Sequence, residues 1–381
     1  MNLLKIHMLF KNIIGQEQTK KRLIRSVKEN RVSHAQLFLG PEGCGKLALA
    51  IAYAQYINCE NKKDNDSCGI CKSCLKYEKI IHPDLHFLYP ISPIKDRIIS
   101  SHFLPEWRKI LLENNCYVSL SEWYESIGIE NKQGFINAKD CNETIKTLSY
   151  KSYESEYKVM IIWMIENLFH SAAPKLLKIL EEPPDKTLFI LICENHEQVI
   201  NTILSRAQII KIPKITDKDL SQSLTQIHEI TPKRANEIIR LAEGNYIEAR
   251  SLSGDVIENE IFTEVHQWLR LCYANNFIEI IGLGEKFAKK GREKQKGFFL
   301  ETIRILRESF LAGVKQFDII KAEGEELIFA KKFSQFFHKK NYNQIFQELN
   351  DAIGHIERNA NPKILWLDLS IKIAEFIKIK A

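Results

Sequence analysis

The chain has 381 residues, of which 54 are basic and 48 acidic, so its formal charge is +6. This length accommodates two or three domains, and a composition that is 45% hydrophobic and 27% charged excludes a largely disordered chain. No apolar run reaches the roughly 18 residues of a membrane span, and the N-terminus lacks a secretory-signal pattern, so we expect a cytoplasmic protein without membrane contacts. Met8 is a second candidate for the first residue.

The N-terminal half alternates short apolar runs with helical patterns. Buried strands separated by helices are typical of a parallel sheet covered on both faces, so we predict an α/β fold for this half. We expect Ser171 to cap the helix that ends at the Pro183-Pro184 pair. The predicted strands are 34–40, 85–89, 157–163, 187–193 and 209–212, and the clearest helices are 46–58 and 171–182.

A glycine-rich loop separates the first predicted strand from the helix after it. Gly40, Gly43 and Gly45 are followed by Lys46, as in a P-loop, where backbone N–H groups and a helix N-terminus surround phosphate oxygens. The next residue should carry a hydroxyl for magnesium, but it is Leu47, which cannot ligate a metal. We therefore predict a P-loop fold without a Mg²⁺ site, and leave open whether ATP or ADP binds.

Four of the nine cysteines fall within 16 residues, separated by eight, two and two residues. Four thiols at this spacing can surround a tetrahedral ion, and a complete set of four leaves no open position for catalysis. We therefore predict a structural Zn²⁺ site, with an iron–sulfur cluster as the alternative and His82 and His86 as competing ligands. The predicted ligands are Cys59, Cys68, Cys71 and Cys74.

The strand at 157–163 ends without the acidic residues that a P-loop ATPase requires. Such an enzyme needs a carboxylate for magnesium and commonly a second one to orient water, but the residues here are Trp163 and Met164. Glu166 lies two residues beyond the strand end, so we interpret it as a helix-entry or surface residue. These substitutions predict a chain that does not hydrolyse ATP by itself.

The pattern after Pro213 is helical as far as the C-terminus. Arg234–Ala242 followed by Gly244 is typical of a helix that ends at a glycine. Amphipathic stretches follow at 262–274, 298–314, 342–357 and 363–378. We place a domain boundary near 212 and a softer one near 258, and interpret 90–145 as an insertion.

Several segments, in this order, resemble the clamp-loader subunits of bacterial DNA polymerase III, which belong to the AAA+ class. The resemblance implies an α/β AAA+ P-loop domain at 1–212, a helical lid at 213–258 and a helical collar at 259–381, with a zinc module at 59–74 and an insertion at about 90–145. One branch of this family lacks ATPase activity, as Leu47, Trp163 and Met164 predict here. The segments are 14–16, 34–46, 175–184, 202–206, 241–249 and 358–365.

By this resemblance, Arg206 is an arginine finger that reaches the ATP site of a neighbouring subunit. Its planar charged group can stabilise phosphate charge in trans without a local nucleotide. The resemblance implies a non-hydrolysing subunit of a hetero-pentamer that helps load a sliding clamp onto primed DNA, with ATPase motor subunits and the delta subunit as partners. Two alternatives remain: an active ATPase motor subunit of the same fold, and a zinc-dependent DNA-binding protein.

Overall fold

The computed structural model describes residues 8–130, 132–228, 230–253, 258–322 and 324–379. The chain divides into two compact units. The first unit consists of Gln133–Ser253 together with the described residues up to Ile129. The second unit consists of the described residues of Glu130–Lys132 and Gly254–Ala381. Within the described ranges, no helix combines the length and apolar character needed to span a bilayer.

The first unit is built on a five-stranded parallel sheet in the order β2-β3-β4-β1-β5. Leu39, at the end of β1, is paired with Cys193 of β4 and Lys211 of β5. The loops after β1 and β4 therefore emerge side by side at the carboxyl edge of the sheet, where ligand sites form in open α/β sheets. The strands are β1 (Ala35–Leu39), β2 (Leu85–Leu88), β3 (Lys158–Trp163), β4 (Thr187–Cys193) and β5 (Gln208–Lys211).

Helices cover this sheet, and two separate apolar clusters bury its two faces. The three helices after β5 belong to the same compact unit as the sheet, and their apolar side chains extend the larger cluster. The helices of this unit are α1 (Glu17–Lys28), α2 (Lys46–Ile57), α3 (Lys72–Glu78), α4 (Leu104–Glu113), α5 (Leu120–Ser126), α6 (Ala138–Ser149), α7 (Ala173–Glu181), α8 (Asn201–Leu204), α9 (Asp217–Ile227), α10 (Pro232–Ala242) and α11 (Tyr246–Leu252).

The second unit is helical throughout its described residues and has its own core. Trp268 and Trp366 lie at the centre of that core with ring centroids 5.0 Å apart, and each indole N–H is satisfied, by Ser370 Oγ and the Ile280 carbonyl respectively. The helices are α12 (Glu258–Ala274), α13 (Phe277–Lys289), α14 (Arg292–Gly313), α15 (Gly324–Phe333), α16 (Tyr342–Glu357) and α17 (Pro362–Phe376).

The α/β fold class, followed by many helices, is confirmed, with differences in detail. Ser171 does not cap α7: the N-cap is Ala172, without a side-chain hydrogen bond, and Pro174 lies in the first turn. The segment 90–145, interpreted above as an insertion, contains α4, α5 and the start of α6. The division into body, lid and collar stays a prediction, and its boundary near 258 adjoins residues 254–257, outside the described residues.

Gly284 of α13 provides a test of the packing in the helical unit. A Cβ atom there would lie 2.6 Å from Trp366 Cδ1, whereas Gly282, on the same helix, has nothing within 4 Å of such an atom. We expect Gly284→Ala to lower the free energy of unfolding of this unit by about 1–3 kcal/mol, because the buried tryptophan must move.

Gly282→Ala is the matched control. It is expected to raise that free energy by about 0.5–1 kcal/mol, because alanine favours the helix over glycine. Chemical denaturation followed by tryptophan fluorescence measures both variants. Equal effects of the two substitutions would contradict the close approach of α13 to α17.

Candidate functional site

The glycine-rich loop has the predicted position between β1 and α2. Gly43 and Gly45 adopt φ angles of +68° and +90°, which L side chains rarely adopt. Gly45 is the N-cap of α2, and Lys46 is its first residue. A Cβ atom at Gly40 would lie 2.2 Å from the Ile212 carbonyl oxygen, so only glycine fits beside β5. The four predicted loop residues thus form one cradle at the carboxyl edge of the sheet.

Lys46 is bound by groups of its own chain. Its ammonium donates to the Pro41 carbonyl at 2.5 Å and lies 3.3 Å from Glu194 Oε1, with only 5% of the side chain exposed. Glu194 directly follows β4 and therefore meets the loop after β1 at the sheet edge. The backbone N–H groups of Glu194 and Asn195 donate to Glu166 Oε1, at 2.8 and 3.3 Å. Glu166 lies in the short 3₁₀ turn Ile165–Asn167, so its interpretation as a helix-entry residue is confirmed, and its half-buried carboxylate holds the end of β4.

The electrostatics of the cradle are those of crowded carboxylates around one cation. Burial and the nearby Glu194 carboxylate raise the pKa of Glu42 to about 7, against the opposing effects of the Asn245 hydrogen bond and Lys46. Burial also raises the pKa of Glu166. Added negative charge is unfavourable beside these carboxylates, and a bound phosphate would have to replace Glu194 as the partner of Lys46.

The positions that would handle magnesium and water are apolar and buried. Leu47, Trp163 and Met164 are 4%, 3% and 4% exposed and belong to the main core cluster. The Trp163 ring lies 5.0 Å from that of Trp107, which belongs to α4 in the predicted insertion. A core-packed indole thus stands where a P-loop ATPase places an acid.

Tyr117, which the sequence did not single out, lies on the cradle. A Cβ atom at Gly45 would be 3.1 Å from the Tyr117 hydroxyl oxygen, and that oxygen accepts a hydrogen bond from the Ile14 N–H at 3.1 Å. The residue comes from the segment between α4 and α5, for which no motif was recognised. The only hint in the sequence was its residue type and place: Tyr117 is an aromatic residue in the predicted insertion, which follows a P-loop that lacks its magnesium ligand.

The four predicted cysteine ligands form one buried cluster. Their sulfur atoms all lie within 4.8 Å of one another, and the Cys68 and Cys74 sulfurs are 3.8 Å apart. Sulfurs at 2.3 Å from a tetrahedral zinc ion would be about 3.8 Å apart. Neither histidine is part of the cluster: His82 Nε2 lies 3.3 Å from Glu154, with its ring tilted against that of Tyr77, and His86 lies in β2.

Backbone N–H groups point at the cysteine sulfurs, as thiolate ligands require. The N–H groups of Ile70 and Cys71 donate to Cys68 Sγ at 3.5 and 3.3 Å, and that of Cys74 donates to Cys71 Sγ at 3.4 Å. Burial alone would raise the pKa of Cys68, but these donors outweigh it and lower the pKa to about 6. The cluster fits a thiophilic ion such as zinc.

Arg206 follows the short helix α8 and does not line the cradle. Its guanidinium forms an ion pair with Glu181, the last residue of α7, and its Nη1 donates to the Thr202 carbonyl at 2.8 Å. The side chain is 35% exposed, and that of Glu181 is 48% exposed. The guanidinium is thus oriented by its neighbours while still accessible to a partner.

The matching family model and the relatives compared by sequence agree on one family. The family model described as "DNA polymerase III, delta subunit" matches residues 15–216. The delta′ subunit of DNA polymerase III from Bacillus subtilis (strain 168) is 27% identical over 249 residues, which are 65% of this chain and 61% of that protein. The tau subunit from the same organism is 26% identical over 263 residues, which are 66% of this chain and only 39% of the tau subunit.

Among solved structures, a DNA polymerase III gamma subunit-related protein from Thermotoga maritima matches 94% of this chain and 99% of its own, with 13% identity and a TM-score of 0.44.

The cysteine cluster yields a prediction about metal content. Cys68→Ser should remove a thiolate ligand, and we expect the purified protein to lose its bound metal and the segment 59–78 to become sensitive to protease. Cys272→Ser is the matched control, because Cys272 is also buried but lies in the core of the helical unit. Elemental analysis and limited proteolysis measure the two effects. The same metal content in both variants would show that the cluster does not hold the ion.

Proposed function

Because this chain belongs to the DNA polymerase III delta-subunit family, we propose that it is a non-hydrolysing clamp-loader subunit of the delta-prime type. One observation carries the proposal: the magnesium and water positions of the P-loop site are occupied by Leu47, Trp163 and Met164, all buried in the core. None of the three offers an oxygen to a cation or accepts a proton. The subunit would act through its neighbours in the assembly.

The alternative, an active motor subunit, is supported only by sequence identity. The tau subunit is nearly as similar to this chain as the delta′ subunit, at 26% against 27% identity. The side chains separate the two. The carboxylates nearest the cradle already have partners within the chain: Glu42 accepts from Asn245, Glu194 pairs with Lys46, and Oε1 of Glu166 accepts from backbone N–H groups. An ATPase would need a free carboxylate at that edge to hold magnesium.

The geometry of the cysteine module favours a structural role over sequence-specific DNA binding. We propose that it holds a structural zinc ion. Its only helix, α3, has seven residues and begins at the cluster itself, with Cys71 as the N-cap. A helix of two turns fixed at the metal is short for the groove-reading helices of zinc-dependent DNA-binding modules.

We assign the arginine-finger role to Arg206. Its exposed guanidinium is oriented by Thr202 and Glu181, so it can meet a triphosphate held by an adjacent motor subunit. The remaining partners in this proposal are those of a clamp loader: motor subunits and a delta subunit in a hetero-pentamer joined through the helical second unit, the sliding clamp, and primed DNA.

The purified chain should not turn over ATP in the presence of magnesium. The reason is that Leu47, Trp163 and Met164 stand at the positions of the magnesium ligands and the water-orienting acid, so restoring one hydroxyl by Leu47→Thr should also leave the chain inactive. A phosphate-release assay measures this. Magnesium-dependent turnover that is lost in Lys46→Ala would contradict the proposal.

Replacing Arg206 should affect a neighbouring site. In a loader reconstituted with its motor subunits, we expect Arg206→Ala to leave assembly intact and to slow hydrolysis at the adjacent ATP site by about a hundredfold or more. Arg206→Lys should restore little, since an ammonium lacks the planar fork.

Glu181→Gln is the control for the ion pair: it removes the partner and keeps the guanidinium, so DNA-stimulated hydrolysis should persist. Size-exclusion chromatography and single-turnover hydrolysis give the two readouts. If Arg206→Ala and Glu181→Gln behave alike in hydrolysis, Arg206 is only a surface ion-pair residue.

A further inference from the structure

The segment between α4 and α5 lies in the space that a nucleotide would need. Cys116, Tyr117 and Val118 are 1%, 4% and 7% exposed, and all three line what remains of the pocket at the glycine loop. The Tyr117 hydroxyl stands 3.1 Å from where a Cβ on Gly45 would be, and the ring edge is 3.2 Å from that point. Such a separation leaves no room for a phosphate group between the ring and the loop.

The polar groups of the pocket are likewise occupied. The Ile14 N–H donates to the Tyr117 hydroxyl, and the Lys46 ammonium is bound by Glu194 and the Pro41 carbonyl. A nucleotide would therefore have to displace an ion pair and two hydrogen bonds of the protein. Each exchange is unfavourable unless the ligand replaces the contact in full.

The same segment binds α11, the last of the three helices that follow the sheet. Arg250 Nη1 donates to the Tyr117 carbonyl at 3.0 Å, and the guanidinium also forms an ion pair with Glu122. The Tyr246 ring packs edge-on against Tyr117, with centroids 4.7 Å apart. The segment therefore contacts both the loop and the helix that would close over a ligand.

Direct hydrogen bonds also join the start of α11 to the glycine loop. The Tyr246 N–H donates to the Gly43 carbonyl at 3.2 Å, and Asn245 Nδ2 donates to Glu42 at 3.2 Å. In P-loop proteins, the backbone N–H groups of this loop bind phosphate oxygens. Here the start of α11 rests on the loop itself.

We propose that residues 116–122 are a built-in substitute for nucleotide, which fills the cradle and holds the helices α9–α11 closed on the sheet domain. Two consequences follow. The chain does not exchange nucleotide, and its closed arrangement is permanent rather than dependent on ATP. The inference concerns this chain alone and does not depend on the role given to Arg206.

The first measurement uses the unaltered full-length chain. Isothermal titration with ATP and with ADP, each with and without magnesium, should show no saturable binding at millimolar nucleotide, and the melting temperature should not rise. Saturable binding of either nucleotide would overturn the proposal. Binding without hydrolysis would leave the non-hydrolysing function intact, so the two failures are distinguishable.

The second measurement tests the closure by hydrogen exchange in α11. Arg250→Ala removes the ion pair and the hydrogen bond to the Tyr117 carbonyl, and we expect the amides of Tyr246–Leu252 to exchange about tenfold faster or more. Tyr117→Ala should have the same effect and should also expose the cradle. Unchanged exchange in Arg250→Ala would overturn the proposal even if Tyr117→Ala does not fold.

Two variants separate the closure from a general loss of stability. Tyr117→Phe keeps the ring and loses only the hydroxyl, so α11 should stay protected. Tyr124→Ala removes another buried tyrosine of the same insertion, whose hydroxyl bonds to Gly134 rather than to the cradle. It should lower the melting temperature without selective exchange in α11. Selective exchange in Tyr124→Ala would show that any damage to the insertion has this effect, and would overturn the specific role of Tyr117.

Discussion

The arrangement of the cradle depends on one buried cation. Lys46 begins α2 with 5% of its side chain exposed, and an ammonium removed from water needs a counter-charge. In a working P-loop that charge is phosphate, whereas here it is Glu194, which the β1–β4 pairing brings to the same edge of the sheet. Glu194 is held in turn by Glu166, through two backbone N–H groups. The site is thus electrostatically complete within the chain.

The loss of the acidic residues and the presence of the insertion form a single packing arrangement. Trp163 ends β3 and contacts Trp107, which stacks on Tyr89 at 4.3 Å and meets Trp123 at 5.0 Å. Aspartate at position 163 would place a charge against this aromatic cluster, where burial disfavours the ionised form. Because α4 is anchored there, the chain that follows it is directed over the glycine loop, and Tyr117 is placed on the cradle. Catalytic groups and the space for a nucleotide are therefore excluded by the same core.

The predictable parts of this protein are those determined by short-range sequence. The strands at 158–163 and 187–193 are continuous apolar runs after their first residues, and the cysteine spacing alone brings four thiols together. The missed features depend on distant partners. Tyr117 has no motif, and its role arises from contacts with Ile14 and Arg250, more than 100 residues away in either direction. In the same way, α13 carries glycines at 282 and 284 that weaken its helical pattern, and the close packing of Gly284 on Trp366 is a contact that the local sequence does not reveal.

Lys46 and Arg206 differ in how firmly their own chain binds them. Lys46 belongs to a site within the chain, whereas we propose that Arg206 acts at a site on a neighbouring subunit. In the Lys46–Glu194 pair the lysine side chain is only 5% exposed and the glutamate 28% exposed, so the ammonium has little water to replace its partner and stays bound within its own chain. The Arg206–Glu181 pair is exposed, and such pairs contribute only about 0–1 kcal/mol. Glu181 can therefore orient the guanidinium and still release it to a triphosphate, whose several charges outcompete a single carboxylate. In the proposed role, the chain has closed its own phosphate site and keeps Arg206 available for the site of a neighbour.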